Sequence, residues 1–245
     1  MFDSIKKKFQ FKFKDRSFAA KILSAALEDF LRKEQERKSN LIVLGIPRGG
    51  VIVADIIATN LKATDFDIVI PRKLRIPHNE EAAFGAIMED GTVYVEDRIV
   101  KDLDISQEYI EKEKMIQLQE IKRRSILYRK KGELSQQQQQ QLLEEEHKIK
   151  EDKIIILVDD GAASGSTMIA ATRSIRKKSK AKKLIIGLPV APKETVELLR
   201  READHVEVVT TPSSLFFSSV GQYYHEFNSV LDEKVIEIMK ARSLL

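Results

Sequence analysis

Apolar positions occur in short continuous runs, separated by stretches in which they recur at helical spacing. The runs cover residues 41–46, 67–70, 92–95, 154–158, 184–190 and 206–209, and the clearest helical stretches cover residues 51–60, 167–178 and 195–202. Continuous apolar runs are typical of strands that are buried on both faces. The alternation predicts an α/β fold with an open, mostly parallel sheet flanked by helices, whose ligand crevice lies at the carboxyl ends of the strands.

Residues 106–150 depart from this alternation of apolar runs and helical stretches. They are polar, they include six consecutive glutamines at 136–141, and Ile110, Leu118, Ile121 and Tyr128 follow roughly helical spacing. We interpret them as a helical hairpin inserted into the domain and standing off the sheet, either as a dimer surface or as a solvated insertion without chemistry. The remaining chain predicts a single domain over residues 1–245, with residues 211–230 as a small hood.

Near the N-terminus, Phe9, Phe11 and Phe13 alternate with lysines. A period of two predicts an edge strand laid against the body of the protein. A basic RNA-binding arm is the alternative interpretation.

Composition narrows the function classes. The 245 residues are 42% hydrophobic and 33% charged, as in a globular protein. The absence of cysteine excludes disulfides and cysteine nucleophiles, and the four histidines show no metal-ligand spacing. The net charge of +4 is mild, so no nucleic-acid partner is expected. No apolar run approaches the roughly 18 residues of a membrane span, and the sequence predicts a cytoplasmic protein.

Half of the ten glycines lie in two loops, each directly after a predicted strand: Gly45, Gly49 and Gly50 in one, Gly161 and Gly165 in the other. Glycine suits positions where a backbone must approach another group closely. Both loops are therefore candidates for ligand binding.

The second loop carries two acids, Asp159 and Asp160, followed by small residues and by the hydroxyls of Ser164, Ser166 and Thr167 at a helix start. Free N–H groups at a helix start can bind a phosphate. Two carboxylates beside such a nest suit a ribose 5-phosphate and can hold Mg²⁺, directly or through water. The loop lacks the lysine of a Walker A motif and the G-x-G-x-x-G fingerprint. A capped helix with turn-forming aspartates is the purely structural alternative, but it accounts for only one of the acids.

Residues 158–167 resemble the phosphoribosyl pyrophosphate (PRPP) motif of type I phosphoribosyltransferases. The resemblance implies that Asp159 and Asp160 bind the ribose hydroxyls and that residues 162–167 hold the 5-phosphate. The implied PRPP-binding residues are Asp159, Asp160, Gly161, Ala162, Ala163, Ser164, Gly165, Ser166 and Thr167. Ala163 departs from the threonine that the superfamily often has there.

Two further segments resemble the same superfamily. Residues 45–50 are similar to its pyrophosphate loop, which implies that Arg48, Gly49 and Gly50 bind pyrophosphate. Residues 71–81 are similar to its mobile catalytic loop, although an exposed charged loop is the alternative. The resemblance makes Arg48, Arg72 and Lys73 the implied catalytic cations.

The resemblance extends over nearly the whole chain to a bacterial and archaeal family of predicted phosphoribosyltransferases. The shared residues include Asp15-Arg16, Arg72-Lys73, Glu89–Gly91 and Asp159–Gly161. The implied activity is Mg²⁺-dependent transfer of the phosphoribosyl group from PRPP to a nucleobase-like acceptor, with release of pyrophosphate, by a homo-oligomer. A regulator that senses PRPP or a nucleotide is the alternative, and an enzyme using PRPP or a ribose phosphate with another acceptor is a third reading.

Aromatic residues near the C-terminus are candidates for the acceptor site, because a flat base favours an aromatic face. The candidates are Phe216, Phe217, Tyr223 and Tyr224. A small C-terminal core is the equally weighted alternative.

Overall fold

The computed structural model describes residues 11–36, 40–129 and 152–243. Phe9, the glutamine run and the second half of the expected helical hairpin lie outside these residues. The described helices are α1 (Arg16–Lys33), α2 (Gly49–Leu61), α3 (Asp97–Asp102), α4 (Gln107–Tyr128), α5 (Ser166–Lys178), α6 (Lys193–Leu199) and α7 (Asp232–Ser243). The described strands are β1 (Leu41–Gly45), β2 (Asp65–Ile68), β3 (Arg72–Ile76), β4 (Asn79–Ile87), β5 (Val93–Val95), β6 (Ile154–Val158), β7 (Lys183–Val190) and β8 (His205–Thr210).

Five strands form a parallel sheet in the order β2-β1-β6-β7-β8. Every residue of the central strands β1 and β6 is buried. Leu41 and Val43 pack with α1 and α2, whereas Ile42 and Leu44 pack with α5 on the opposite face. Because both faces are covered, the strands are continuously apolar, and the predicted α/β fold is confirmed.

A second, antiparallel sheet of order β3-β4-β5 corrects the sequence prediction. Residues 92–95 contribute β5 to this sheet, not a strand of the parallel series. The expected loop over residues 71–81 is instead β3 and the start of β4. Strand β3 buries Leu74 between more exposed basic residues, so its polar composition concealed a strand with one covered face.

The described half of the 106–150 insertion is helix α4. Ser106 caps it by accepting a hydrogen bond from the Tyr109 N–H (3.2 Å). Ile110, Ile121 and Tyr128 are buried with residues of β3, β4 and α7. The expectation of a solvated helix is therefore wrong for this half, since α4 closes the core beneath the small sheet.

The N-terminal arm pairs with the C-terminal segment through Phe13. Phe13 forms a parallel bridge with Tyr224, donates its N–H to the Tyr223 carbonyl (2.8 Å) and accepts from the His225 N–H (2.8 Å). Its ring is fully buried, while that of Phe11 is 51% exposed. The predicted pairing of the arm against the body is confirmed at Phe13.

None of the helices in the described ranges is both long and apolar enough to span a membrane.

We expect Phe13→Ala to lower the free energy of unfolding by about 3–5 kcal/mol, because it leaves a cavity in a small core. Phe11→Ala is the matched control. Apart from the loss of one aromatic contact, it should change the free energy of unfolding by no more than about 0.5 kcal/mol. Denaturant unfolding of both variants tests this. Equal losses would contradict the anchoring role of Phe13.

Candidate active site

The carboxyl ends of β1 and β6 open into a cavity of about 710 Å³. The two strands are neighbours, with Gly45 opposite Val158, and the Ile46 N–H donates to the Val158 carbonyl (2.9 Å). Most of the predicted site residues line this cavity: Arg48, Gly49, Arg72, Lys73, Asp159, Asp160, Gly161, Ala162, Ala163, Ser164, Gly165, Ser166 and Thr167. The topology thus brings together two loops that are more than one hundred residues apart in sequence.

Gly49 and Gly50 allow the first loop to lie against the acid pair. A Cβ atom at Gly49 would overlap the carboxylate of Asp160, and one at Gly50 would come within 2.7 Å of the Cα of Asp159. Gly50 therefore packs behind Asp159 and is not part of the cavity lining. The peptide bond between Pro47 and Arg48, just before these glycines, is cis.

The acid pair is fixed by three hydrogen bonds. Asp159 accepts the N–H of Asp160 at its Oδ1 (2.8 Å). Arg16 of α1 donates from Nε to the Oδ2 of Asp160 (2.7 Å), and the Tyr224 hydroxyl donates to the Asp160 carbonyl oxygen (2.6 Å). The Arg16 and Asp160 side chains are only 11% and 14% exposed, so this ion pair is largely removed from water.

Burial also changes the protonation of the pair. Loss of water and the neighbouring charge of Asp160 raise the pKa of Asp159 well above its ordinary value. Burial raises the pKa of Asp160 too, but the Arg16 guanidinium opposes that rise. Arg16 donates a hydrogen bond to Asp160 but acts on Asp159 only through its charge, as the least of the causes that shift the pKa of that group. Asp160 is therefore the carboxylate that carries the charge, and Asp159 is the one that retains a proton more readily.

The loop that follows the acids has the backbone of an anion-binding helix start. Gly161 and Gly165 have φ angles of +153° and +82°, which favour glycine. The first intrahelical bond of α5 runs from the Ile169 N–H to the Gly165 carbonyl (2.9 Å), so the preceding N–H groups lack helical partners. Thr195 supports the loop from behind by donating to the Ala163 carbonyl (2.5 Å).

Strand β3 contributes basic side chains to the cavity lining. Arg72 donates from Nε to Gln117 of α4 (3.0 Å), and Gln117 donates in turn to Glu113 (2.9 Å). Glu113 also accepts the Arg75 N–H (3.1 Å). Burial lowers the pKa of Arg72. Helix α4 therefore braces the backbone and the first cation of β3, whereas the side chain of Lys73 is exposed at the cavity.

Arg48 enters the cavity from the first loop and also reaches the C-terminal helix. Its Nη1 lies 3.6 Å from the Oδ1 of Asp232, at the start of α7. The same oxygen accepts the Tyr128 hydroxyl (2.6 Å). This network links the first loop to α4 and α7.

The four aromatic residues predicted for the acceptor site do not line the cavity. Tyr223 and Tyr224 are buried in a small core with Phe13, Phe217 stacks on Tyr223 with ring centroids 5.4 Å apart, and Phe216 is 63% exposed. The apolar residues that reach the cavity from this segment are Val220, Phe227 and Val230. The arrangement matches the alternative of a small C-terminal core.

Arg16 is the site residue that reasoning from composition and motifs missed. It lines the cavity, lies over the Phe227 ring at 3.8 Å and donates to the Asn228 carbonyl (2.8 Å) as well as to Asp160. Its only signal was the Asp15-Arg16 pair within the whole-chain resemblance. The sequence does not indicate a partner 144 positions away.

The parallel sheet, with its cavity at the carboxyl ends of the strands, makes the chain an α/β protein of the open-sheet class. A model of the phosphoribosyl transferase domain matches residues 112–227. A Mycobacterium tuberculosis protein, found in the strains H37Rv and CDC 1551 and provisionally named a phosphoribosyl transferase, is 32% identical over 227 residues. The crystal structure of the Thermus thermophilus protein TT1426 is 31% identical, has a TM-score of 0.69, and aligns over 95% of this chain and 99% of that one.

The chain belongs to the phosphoribosyltransferase family. The match covers 93% of this chain but 46% of the Mycobacterium relative, so the chain spans about half the length of the curated relatives that it matches.

We expect Asp159→Asn to raise the free energy of unfolding at pH 7. The raised pKa of Asp159 means that the folded state binds its proton more tightly than the unfolded state. The parent is therefore most stable, as far as this group is concerned, below the ordinary carboxyl pKa of about 4, and that contribution is lost as pH rises toward the raised value.

Thermal unfolding between pH 4 and pH 8 measures this effect, at roughly 2–4 °C of Tm for each kcal/mol. The variant should gain Tm over the parent with rising pH and show little gain near pH 4. Glu226→Gln, which removes an exposed carboxylate, is the control. A Tm difference that does not depend on pH would contradict the raised pKa.

Gly49→Ala should destabilise the protein by about 1–3 kcal/mol, because the added methyl group must displace the Asp160 carboxylate or the loop. Gly187→Ala is a suitable control, since a Cβ at Gly187 would meet its nearest neighbour, Leu27 Cδ1, at an ordinary 3.4 Å. Denaturant unfolding distinguishes them. Equal tolerance of both substitutions would show that the contact between the two loops is not tight.

Proposed function

We propose that the protein is a phosphoribosyltransferase that binds PRPP and Mg²⁺ and transfers the 5-phosphoribosyl group to a nucleobase-like acceptor, releasing pyrophosphate. The observation that carries the proposal is the contact of Gly49 with Asp160. It sets the loop that resembles a pyrophosphate-binding segment directly against the acid pair, in one cavity. A ligand with hydroxyls between two phosphate-bearing ends fits that order of groups.

In this proposal the ribose hydroxyls donate to the carboxylates of Asp159 and Asp160. The 5-phosphate lies in the loop of residues 162–167, where it accepts backbone N–H groups and faces the positive end of α5. Arg16 acts as a positioning residue, because it fixes the charged carboxylate of Asp160 without needing to touch the sugar.

The cations act on the leaving group. As the bond from the sugar C1 to pyrophosphate breaks, its electron pair leaves with the pyrophosphate and negative charge develops on the departing oxygens. The acceptor forms its bond to C1 from the opposite face and releases its proton to water. Arg48 and Lys73 line the cavity where this charge would develop, and Arg72 lies beside them, braced by α4. Cations that line the site stabilise such charge by electrostatic attraction, so no protein nucleophile is required.

The donor set fits a magnesium ion that is shared with the substrate. Within the described ranges, no three His, Cys, Asp or Glu side chains are grouped to hold a metal. Mg²⁺ is commonly held by one or two carboxylates together with substrate phosphates and water. Asp159 and Asp160 would supply the protein oxygens, directly or through water, and the ion would neutralise pyrophosphate charge.

The acceptor would lie at the apolar rim formed by Val220, Phe227 and Val230. Arg16 already covers one face of the Phe227 ring. Stacking between two aromatic rings is therefore not available on that face, and we propose edge contacts with these aliphatic and aromatic side chains in place of the four aromatics suggested by the sequence.

The test is pyrophosphate release from PRPP and Mg²⁺ with a panel of purine and pyrimidine bases. We expect release that depends on one base and falls at least 100-fold in the Asp159→Asn/Asp160→Asn double variant. Glu226→Gln is the exposed-carboxylate control and should retain the parent rate.

Binding of PRPP by the parent without release for any base would favour the alternative, a regulator that senses PRPP. Failure of the parent to bind PRPP would contradict the assignment of the Asp159–Thr167 loop.

A further inference from the structure

A carboxylate from the antiparallel sheet reaches the loop proposed to hold phosphate. Glu96 follows β5 directly, and its N–H donates to the Phe84 carbonyl of β4 (2.7 Å). Its Oε1 accepts a hydrogen bond from the Ser166 hydroxyl (2.7 Å). The Oγ of Ser166 lies 2.6 Å from the Oγ of Ser164, and both serines line the cavity.

The number of hydroxyl hydrogens determines which group donates in each of these two hydrogen bonds. A hydroxyl has one hydrogen to donate, and an ionised carboxylate can only accept. Since Ser166 donates to Glu96, the hydrogen between the two serines belongs to Ser164. Both hydroxyl hydrogens are then committed along the path from Ser164 through Ser166 to Glu96, and neither is available to an anion in the loop.

We propose that Glu96 competes with the ligand phosphate for these hydroxyls and thereby limits how tightly the loop binds a phosphate monoester. This inference rests on the proposed function, because it assigns a control element to the same loop. A phosphate can accept a hydrogen bond from the Ser164 hydroxyl only if Ser164 stops donating to Ser166. Alternatively, Glu96 moves away, Ser166 donates to Ser164, and Ser164 then donates to the phosphate. The negative charge of Glu96 beside the first residue of α5 adds repulsion to the same competition.

Glu96 is also linked, through the antiparallel sheet, to the strand that carries Lys73. Val95, next to Glu96, pairs with Gly85 in β4, and Ala86 of β4 pairs with Lys73 in β3. The residue that releases the serine hydroxyls and the strand that presents Lys73 to the leaving group therefore belong to one small sheet. A movement of this sheet would therefore displace Glu96 and Lys73 together.

A purely structural role for Glu96 predicts the opposite result. If Glu96 only held the start of α5 in place, its loss would weaken binding. Glu96→Gln keeps the size of the side chain and an acceptor oxygen for Ser166 but removes the charge. Glu96→Ala removes both.

The experiment is titration calorimetry of the full chain with ribose 5-phosphate at fixed ionic strength. We expect Glu96→Gln to bind the probe about three- to tenfold more tightly than the parent, and Glu96→Ala also to bind more tightly. Asp97→Asn, which removes the adjacent exposed carboxylate, is the matched control and should leave the affinity within twofold. In a Ser166→Ala background the gain from Glu96→Ala, the variant that removes the competing acceptor, should shrink.

If the parent binds ribose 5-phosphate and both Glu96 variants bind it equally well or more weakly, the inference is overturned. The proposed function is not affected by that result. A gain that is undiminished in the Ser166→Ala background would overturn the competition for hydroxyls. If neither the parent nor any Glu96 variant bound ribose 5-phosphate, the proposed function would fail, and this inference with it.

Discussion

The ion pair between Arg16 and Asp160 organises the rest of the site. An isolated carboxylate in so buried a place would be neutralised, and truncation of one partner of a buried pair commonly costs about 3–5 kcal/mol. Here the guanidinium is shared among Asp160, the Asn228 carbonyl and the Phe227 ring. One side chain from α1 thus fixes both the acid pair and the segment that borders the proposed acceptor rim.

The two sheets contribute different groups to the site. The parallel sheet, covered on both faces, places the acid pair and the glycine loop with little freedom to move. The antiparallel sheet supplies Lys73 and Glu96, and its register changes at Leu74/Arg75 and at Arg75/Ile76. Ala86 of β4 packs in the same core as Ile42 and Leu44 of β1, so the two sheets that carry these groups share a core.

Much of the parallel sheet could be predicted because burial on both faces leaves a continuous apolar run, as in β1 and β6. The antiparallel sheet could not, because β3 covers one face only and its basic residues are typical of a loop. The two loops at the strand ends were predictable from their glycines and acids. The roles of Arg16 and Glu96 depend on partners 144 and 70 positions away, which no local pattern reports. Tyr223 and Tyr224 were ambiguous because an aromatic pair suits a core as well as a ligand.

The contacts of Arg16 and Tyr224 around Asp160 affect the order in which the molecule can fold. Arg16 contacts Asn228 across 212 positions, and Tyr224 contacts Asp160 across 64. Both contacts need residues that follow every described strand, so neither can form until residues 224 and 228 have been synthesised. On the ribosome, α1 emerges before every described strand, yet its arginine stays without its full set of partners until residue 228 has been synthesised. The parallel sheet can therefore form around an acid pair whose surroundings are completed only afterwards, when the segment around Tyr224 and Asn228 reaches it.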